Sequence, residues 1–448
     1  MSEQPEVLSG WGRTAPTAGR VRRNAGPDAV ADLLRGAGPR GLIARGLGRS
    51  YGDAAQNAGG VVLDPLPAVI DEPAADGSVR VSAGTSLHDL MRFLLPRGRF
   101  VPVTPGTRYV TVGGAIGCDV HGKSHHVTGS FGDQVVSLDL VLPDGTARTV
   151  GPDRDPELYW ATVGGMGLTG VIVSAVLRTI PVETGYLDVT TQRLSDLDAV
   201  LAEMAGSDDD FTYSVAWIDT EARGGALGRS VLSRGEHATR EQLSGPAAVQ
   251  PLAVPAPPRL AVPFAPPFGL VTRSTVRVFN EAWFRKAPRF REGEIQSISA
   301  FFHPLDGVAH WNRLYGPHGF LQYQFVVPED RADVVRRILE QVSGDRHTTF
   351  LAVLKRFGPG GSGWLSFPSA GWTLAVDAPA GPGLIGLLDR LDEQVAAAGG
   401  RIYLAKDARV RPELMTTMYP RLPEFRELRE RLDPDRRLQS DLSRRLDL

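Results

Sequence analysis

The strongest constraint on this chain is Arg45-Gly-Leu-Gly-Arg-Ser-Tyr-Gly-Asp53, a glycine-rich stretch that directly follows the apolar run Gly41-Leu-Ile-Ala44, which reads as a strand. Gly46, Gly48 and Gly52 let the backbone turn sharply and approach something closely. Successive bare N–H groups in such a turn form an anion-binding nest, and Arg45 and Arg49 add positive charge. The loop suits a phosphate or pyrophosphate. A plain surface turn is the competing reading of a glycine-rich loop taken alone.

A second stretch, Pro105-Gly-Thr-Arg-Tyr-Val-Thr-Val-Gly-Gly-Ala-Ile-Gly-Cys-Asp-Val-His-Gly122, weighs against the plain turn. Thr111 is placed to cap a short helix whose first turn holds Gly113 and Gly114. A helix N-terminus without side chains in the way suits a diphosphate.

Two literal motifs compete. Gly117-Cys-Asp-Val-His-Gly-Lys-Ser124 fits the P-loop pattern of NTPases, but the following Ser-His-His-Val-Thr-Gly-Ser-Phe-Gly132 breaks the long helix a P-loop requires. Gly165-Met-Gly-Leu-Thr-Gly170 fits the dinucleotide fingerprint in reversed context: a helix-like segment, 155–163, precedes it and the β-rich Val171-Ile-Val-Ser-Ala-Val176 follows.

The bulk properties exclude several classes. With 49 basic and 51 acidic residues the formal charge is −2, so there is no electrostatic case for nucleic acid. A single cysteine, Cys118, rules out an internal disulfide, and no H-E-x-x-H motif marks a metal site. The stretch Met1-Ser-Glu-Gln-Pro-Glu-Val has no signal-peptide character. Arg22-Arg23 lead into Asn-Ala-Gly-Pro, unlike a twin-arginine signal. No apolar run is long enough to span a bilayer. These features read as a soluble, cytoplasmic protein, with membrane association and a periplasmic location reached without a signal of its own both left open.

The pattern predicts an α+β chain. Residues 28–60 read helix, strand, loop; Val61-Val-Leu-Asp64 and Val79-Arg-Val-Ser82 read as strands; Ser86 starts an amphipathic helix; 134–150 read as a hairpin around Pro143-Asp-Gly145. Residues 186–204 read as helix and 211–217 as strand. Residues 252–270 are Pro-rich and apolar, which forbids a helix or inner strand; they read as a covering loop, or as a flap touching lipid. Phe320-Leu-Gln-Tyr-Gln-Phe-Val-Val327 is a strand with Gln322 and Gln324 on one face. Strands at 349–355 and 372–377 and helices at 331–342 and 384–398 complete an antiparallel sheet backed by helices.

The order and spacing of the two loops resemble the FAD-binding domain of vanillyl-alcohol-oxidase-type flavoenzymes. Beyond them, Gly10-Trp-Gly-Arg-Thr-Ala-Pro16, Val112-Gly-Gly-Ala-Ile116, Phe301-Phe-His-Pro-Leu-Asp306, Gly319-Phe-Leu-Gln-Tyr-Gln-Phe325 and Ala405-Lys-Asp407 resemble the decaprenylphosphoryl-β-D-ribose 2'-oxidase family within that superfamily. The likeness covers nearly the whole chain. It implies a two-subdomain FAD-binding domain of PCMH type (1–185), a substrate domain (186–400) and a tail (401–448) packing back on the first domain. It implies oxidation of the 2'-hydroxyl of decaprenylphosphoryl-β-D-ribose, or a similar polyprenyl-phosphoryl pentose, to the 2'-keto intermediate. That is the first half of epimerisation to the arabinose donor for cell-wall arabinan. A separate short-chain NAD(P)H-dependent reductase and a quinone or oxygen as electron acceptor are implied as partners. A flavin oxidase of soluble alditols or sugar lactones is the alternative.

The resemblance also assigns residues. FAD contacts fall to Arg45, Gly46, Leu47, Gly48, Arg49, Ser50 and Tyr51 in the first loop. They continue with Pro105, Gly106, Thr107, Thr111, Val112, Gly113, Gly114 and Ala115 in the second. Cys118, Asp119, His121 and Gly122 follow, then Gly167 and Ile172, and Tyr403 from the tail. The cofactor is expected to be noncovalent, because relatives with covalent flavin often carry His where Arg49 stands. Cys118 as a second attachment point is weighed against a buried small residue. Lys406 matches the family's essential lysine and is the expected catalytic residue with Tyr51 and His121; His121 as a structural hydrogen-bonder is the other reading. Lys123, Trp217, Phe302, Gln322, Gln324, Lys355, Ala375 and Lys406 are expected at the substrate. Two positions depart from the pattern: mycobacterial members carry Tyr at Phe302, and at Ala375 the Cys captured by nitroaromatic inhibitors.

Overall fold

A computed structural model describes residues 4–23, 25–258 and 260–448. The first three positions of the N-terminal stretch, Asn24 after the paired arginines, and Arg259 of the Pro-rich segment lie outside the described residues. The fold is α+β, and three sheets organise it.

The first sheet is small. Thr17–Arg22 and Leu42–Ala44 flank Val61–Leu63 in parallel, with Glu6–Leu8 at the edge. Leu42, Ile43 and Val61 to Leu63 are buried, as strands covered on both faces require. The second sheet is antiparallel, in the order Val79–Ser82, Val171–Leu177, Val135–Val141, Ala147–Val150. Its hairpin turns at Asp144, whose carboxylate accepts from Thr146 N–H, and at Gly145 with φ 85°. The helix Leu87–Leu94, capped by Ser86, buries Leu87, Leu90, Met91 and Leu94 beside this sheet.

The third sheet has eight antiparallel strands. The strand Phe320–Val327 pairs with Gly371–Pro379, which pairs with Ala352–Phe357; that strand in turn meets Tyr213–Ile218. Side chains alternate strictly. Tyr323, Phe325, Leu354, Leu374 and Val376 pack against the helices Leu197–Ser207, Ala332–Gly344 and Leu384–Ala397. Gln322, Gln324, Val353, Lys355 and Ala375 face the other way, into a cavity.

One segment corrects the sequence reading. Residues 186–194 form a strand, Tyr186–Leu194, between Ser230–His237 and Phe290–Ser297, and the helix begins only at Leu197 under an Asp196 cap. The cause is visible in retrospect: Leu187, Val189 and Thr191 are buried in period two, and Thr190-Thr191 are β-branched. The Pro-rich segment is irregular apart from Leu260–Ala261, which pairs with Val308–Ala309.

The tail lies against the first sheet. Leu42 N–H donates to Arg437 O and Gln439 N–H to Leu42 O. Arg445 bridges Asp53 of the first glycine loop and Asp407, next to Lys406, at 2.8–2.9 Å.

Candidate active site

The first glycine-rich loop is wedged between the N-terminal segment and the 403–407 turn. Trp11 N–H donates to Ser50 O, and Tyr51 N–H to Ala405 O at 2.9 Å. A Cβ on Gly52 would stand 2.0 Å from Asp407 O, so only glycine admits this approach. Gly48 has φ 64°. The loop also touches the second cradle, since a Cβ on Gly46 would lie 2.4 Å from Thr111 Oγ1. Thr111 in turn caps the helix Val112–Gly117 by accepting from Gly114 N–H at 3.1 Å.

These loops and the eight-stranded sheet enclose one cavity of about 640 Å³, within the range of small-molecule sites. Every residue assigned above to cofactor or substrate lines it except Val112, Ala115 and Asp119. Val112 and Ala115 are packed in the core beside the second sheet. The Asp119 carboxylate accepts from Ser130 Oγ, Gly132 N–H and Ser366 Oγ, so it ties the turn to the 363–366 loop. Burial raises its pKa to about 6.

The two arginines divide their work. Arg45 spends its guanidinium on Ala55 O and Ser9 O, bracing the loop. Arg49 stacks over Trp11 at 3.9 Å, and its Nε is buried without a partner among the described residues. Cys118 lies 3.8 Å from Ser50 Oγ, and burial pushes its thiol pKa up, which keeps it protonated.

Around the opposite wall stand three lysines. Lys406 Nζ sits 3.9 Å above the Tyr51 ring. Lys123 donates to Phe301 O and lies over the Phe301 ring. Lys355 projects from the sheet. Burial depresses all three: Lys355 to about 8, Lys123 to about 7 with Lys355 adding repulsion, and Lys406 in the same direction. His121 packs on Phe357, contacts Gln324 at 2.9 Å through Nε2, and is held neutral by burial and by Lys355.

Sequence reasoning missed Trp11, Asp306, Phe279 and Trp283 among the lining residues. It also missed Asp377, which lies behind Gln322. Asp306 accepts from Thr107 Oγ and Arg108 N–H and so pins the second loop to the 301–306 segment. Trp11 did sit between two glycines inside a quoted segment, a signal that was available. Asp377 left none, since it meets Gln322 only through strand register.

An elongated diphosphate cofactor fits this site. Gly46, Gly48, Gly113 and Gly114 present bare backbone to the cavity, and a Cβ on Gly106 would meet nothing within 4 Å. The mostly apolar lining of the cavity suits a ring system. A family of FAD binding domains matches residues 21–151. Decaprenylphosphoryl-β-D-ribose oxidase of Mycolicibacterium smegmatis is 45% identical over 98% of this chain and 97% of its own length. An uncharacterised protein of Streptomyces coelicolor is 43% identical over 81% of this chain and all of its own length. The D-arabinono-1,4-lactone oxidase of Yarrowia lipolytica reaches 32% identity over only 32% of this chain and 27% of its own. With cradles built for FAD and a likeness that runs end to end, this chain belongs to the decaprenylphosphoryl-β-D-ribose oxidase family of FAD-linked oxidoreductases.

Proposed function

We propose that the protein oxidises the 2'-hydroxyl of decaprenylphosphoryl-β-D-ribose, or of a similar polyprenyl-phosphoryl pentose, to the 2'-ketone, with noncovalent FAD in the two glycine-built cradles. The observation that carries this reading is the position of Lys406. It stands on the wall where the cradle loops meet the polar face of the sheet, Gln322, Gln324 and Lys355. The sugar-lactone alternative finds a likeness over only 32% of the chain.

FAD supplies the hydride acceptor. The chain's own residues handle the rest. Lys406, its pKa depressed by burial, takes the hydroxyl proton as a neutral amine. Gln322 and Gln324 hold the ribose hydroxyls, and Lys355 and Lys123 face the phosphate. The apolar walls at Trp217, Phe302 and Val353 exclude water. The Tyr51 ring, 3.9 Å from Lys406 Nζ, favours the ammonium that forms when the proton arrives.

The 2'-ketone passes to a separate short-chain NAD(P)H-dependent reductase, and the electrons to a quinone or oxygen. No helix among the described residues is long and apolar enough to cross a membrane. Lipid contact falls instead to the 252–270 segment, where Phe268 is 98% exposed beside exposed Leu260, Phe264 and Leu270. The helix Arg273–Lys286 adds Phe279 and Trp283, which are part-exposed and also line the cavity. The polyprenyl chain leaves along this rim, and the enzyme rests on the membrane surface.

Anaerobic mixing with a polyprenyl-phosphoryl ribose tests the reading: the yellow protein should bleach. A protein bleached by soluble lactones but not by the lipid-linked pentose would overturn it.

A further inference from the structure

Behind the cavity wall lies a buried carboxylate without a cation. Asp377 is 0% exposed. Its side chain accepts from Gln322 Nε2 and from the Tyr315 hydroxyl, both neutral donors, and no ion pair joins it among the described residues. Buried charges are ordinarily paired. Lys406, which lines the same cavity as Gln322, is likewise without an ion-pair or hydrogen-bond acceptor for Nζ among the described residues; its Nζ lies against the Tyr51 ring. An unpaired carboxylate and an unpaired amine therefore flank one cavity wall.

We propose that Asp377 is a positioning residue for the oxidation, acting through Lys406 and Gln322. It supplies the negative field that sets when Lys406 carries a proton. It also fixes the Gln322 amide by its NH₂, which leaves the carbonyl oxygen for a sugar hydroxyl. The inference rests on Lys406 as proton acceptor. When the hydroxyl proton moves to the Lys406 amine, the ammonium forms beside the Asp377 carboxylate, which offsets the positive charge as it appears. Burial and the field of Lys406 oppose each other at Asp377, as burial and the field of Asp377 do at Lys406. The other titratable groups facing Lys406 are Lys355, Cys118, His121 and Tyr51; Tyr51 and Tyr315 face Asp377. Asp407, adjacent in sequence, is already paired with Arg445.

The test reads Lys406 without turnover. Trace acetic anhydride modifies only the neutral amine, so labelling of Lys406 against pH, followed by peptide mass spectrometry in the flavin-loaded protein, gives its midpoint. In Asp377→Asn the midpoint should fall by about one pH unit or more, the usual influence of a nearby opposite charge. The acid limb of the pH–rate profile should move down with it, and Asp377→Glu should restore both. KM should rise in Asp377→Asn because the neutral amide offers one accepting oxygen to two donors, Gln322 Nε2 and the Tyr315 hydroxyl, and so orients Gln322 less firmly. A merely structural Asp377 would lower activity without moving the midpoint, and an unmoved midpoint in folded Asp377→Asn overturns the proposal. Should Asp377→Asn fail to fold, Tyr315→Phe withdraws one donor from the carboxylate and should shift the midpoint in the same direction by less; no shift there also overturns it. Because labelling needs no substrate, a wrong lipid-sugar assignment would leave this result standing.

Discussion

The two halves of the cavity are made of different materials. The half proposed for the cofactor is backbone: glycines at 46, 48, 52, 113 and 114, a capped helix end and loops braced by Arg45. The half proposed for the substrate is side chains, projecting from one face of a sheet whose strands come from well-separated parts of the chain. Backbone cradles tolerate few added atoms, because a Cβ on Gly52 would stand 2.0 Å from Asp407 O and one on Gly46 2.4 Å from Thr111 Oγ1. Side-chain walls tolerate substitution sterically and lose chemistry instead. Changes in the first half should therefore cost flavin, and changes in the second should cost turnover with flavin in place.

Lys406→Ala should break the pattern most visibly. Loss of a positioned base costs roughly 10²–10⁴-fold, so reduction of the bound flavin by substrate should nearly vanish while the visible absorbance of the purified protein stays. Flavin reduction at the wild-type rate would remove Lys406 from the chemistry.

Gly122→Ala is the converse. Its Cβ would stand 2.6 Å from Thr104 O, a backbone atom that has no rotamer with which to yield. Overpacking of this kind costs about 1–3 kcal/mol, so FAD affinity, measured by reconstitution of stripped protein, should weaken about tenfold or more. Substrate reduction of whatever flavin binds should survive. If affinity holds and turnover falls, the division between the two halves is wrong.

That division also explains what could be read from sequence. The glycine loops, the Thr111 and Ser86 caps and the 134–150 hairpin are local in sequence, and local patterns announced them. The strand Phe320–Val327 announced itself by period two, although Gln324 reads as surface until the 118–122 turn is seen to cover it. Residues 186–194 were misread because Leu187, Val189 and Thr191 alternate inside a polar stretch that also suits a helix surface. Asp377 was invisible for a stricter reason. Its meaning depends on lying across from Gln322 in the register of two strands far apart in the chain, and a single sequence carries no register.

Lys355→Met sharpens the substrate half. Lys355 stands on the strand Ala352–Phe357, pairs across to Thr373, and faces the cavity with a pKa lowered to about 8. A phosphate would draw its proton back. The variant should raise KM about tenfold, the scale of one charge-assisted hydrogen bond, and leave flavin reduction at saturating substrate close to wild type. With the lysine absent, the affinity gain at lower pH that comes from protonating it should also disappear. A fall in the saturating rate with KM unchanged would move Lys355 from binding to chemistry.

The smallest effect on turnover, and the sharpest on reactivity, belongs to Ala375. It lies opposite Gln324 and Val353 in the sheet and faces the cavity. Ala375→Cys adds one sulfur to the wall, so turnover should change by less than about threefold, in keeping with substitutions that disturb no packed neighbour. Intact mass after turnover with a nitroaromatic inhibitor should then show a covalent adduct in the variant and none in the wild type. The wild type does hold a thiol in the same cavity, Cys118, but burial keeps it protonated against Ser50, and a thiol is a far weaker nucleophile than a thiolate. Proximity alone would let Cys118 be captured, whereas its failure to ionise forbids it. An adduct on the unmodified protein that vanishes in Cys118→Ala would show that the cradle half, too, can supply side-chain chemistry.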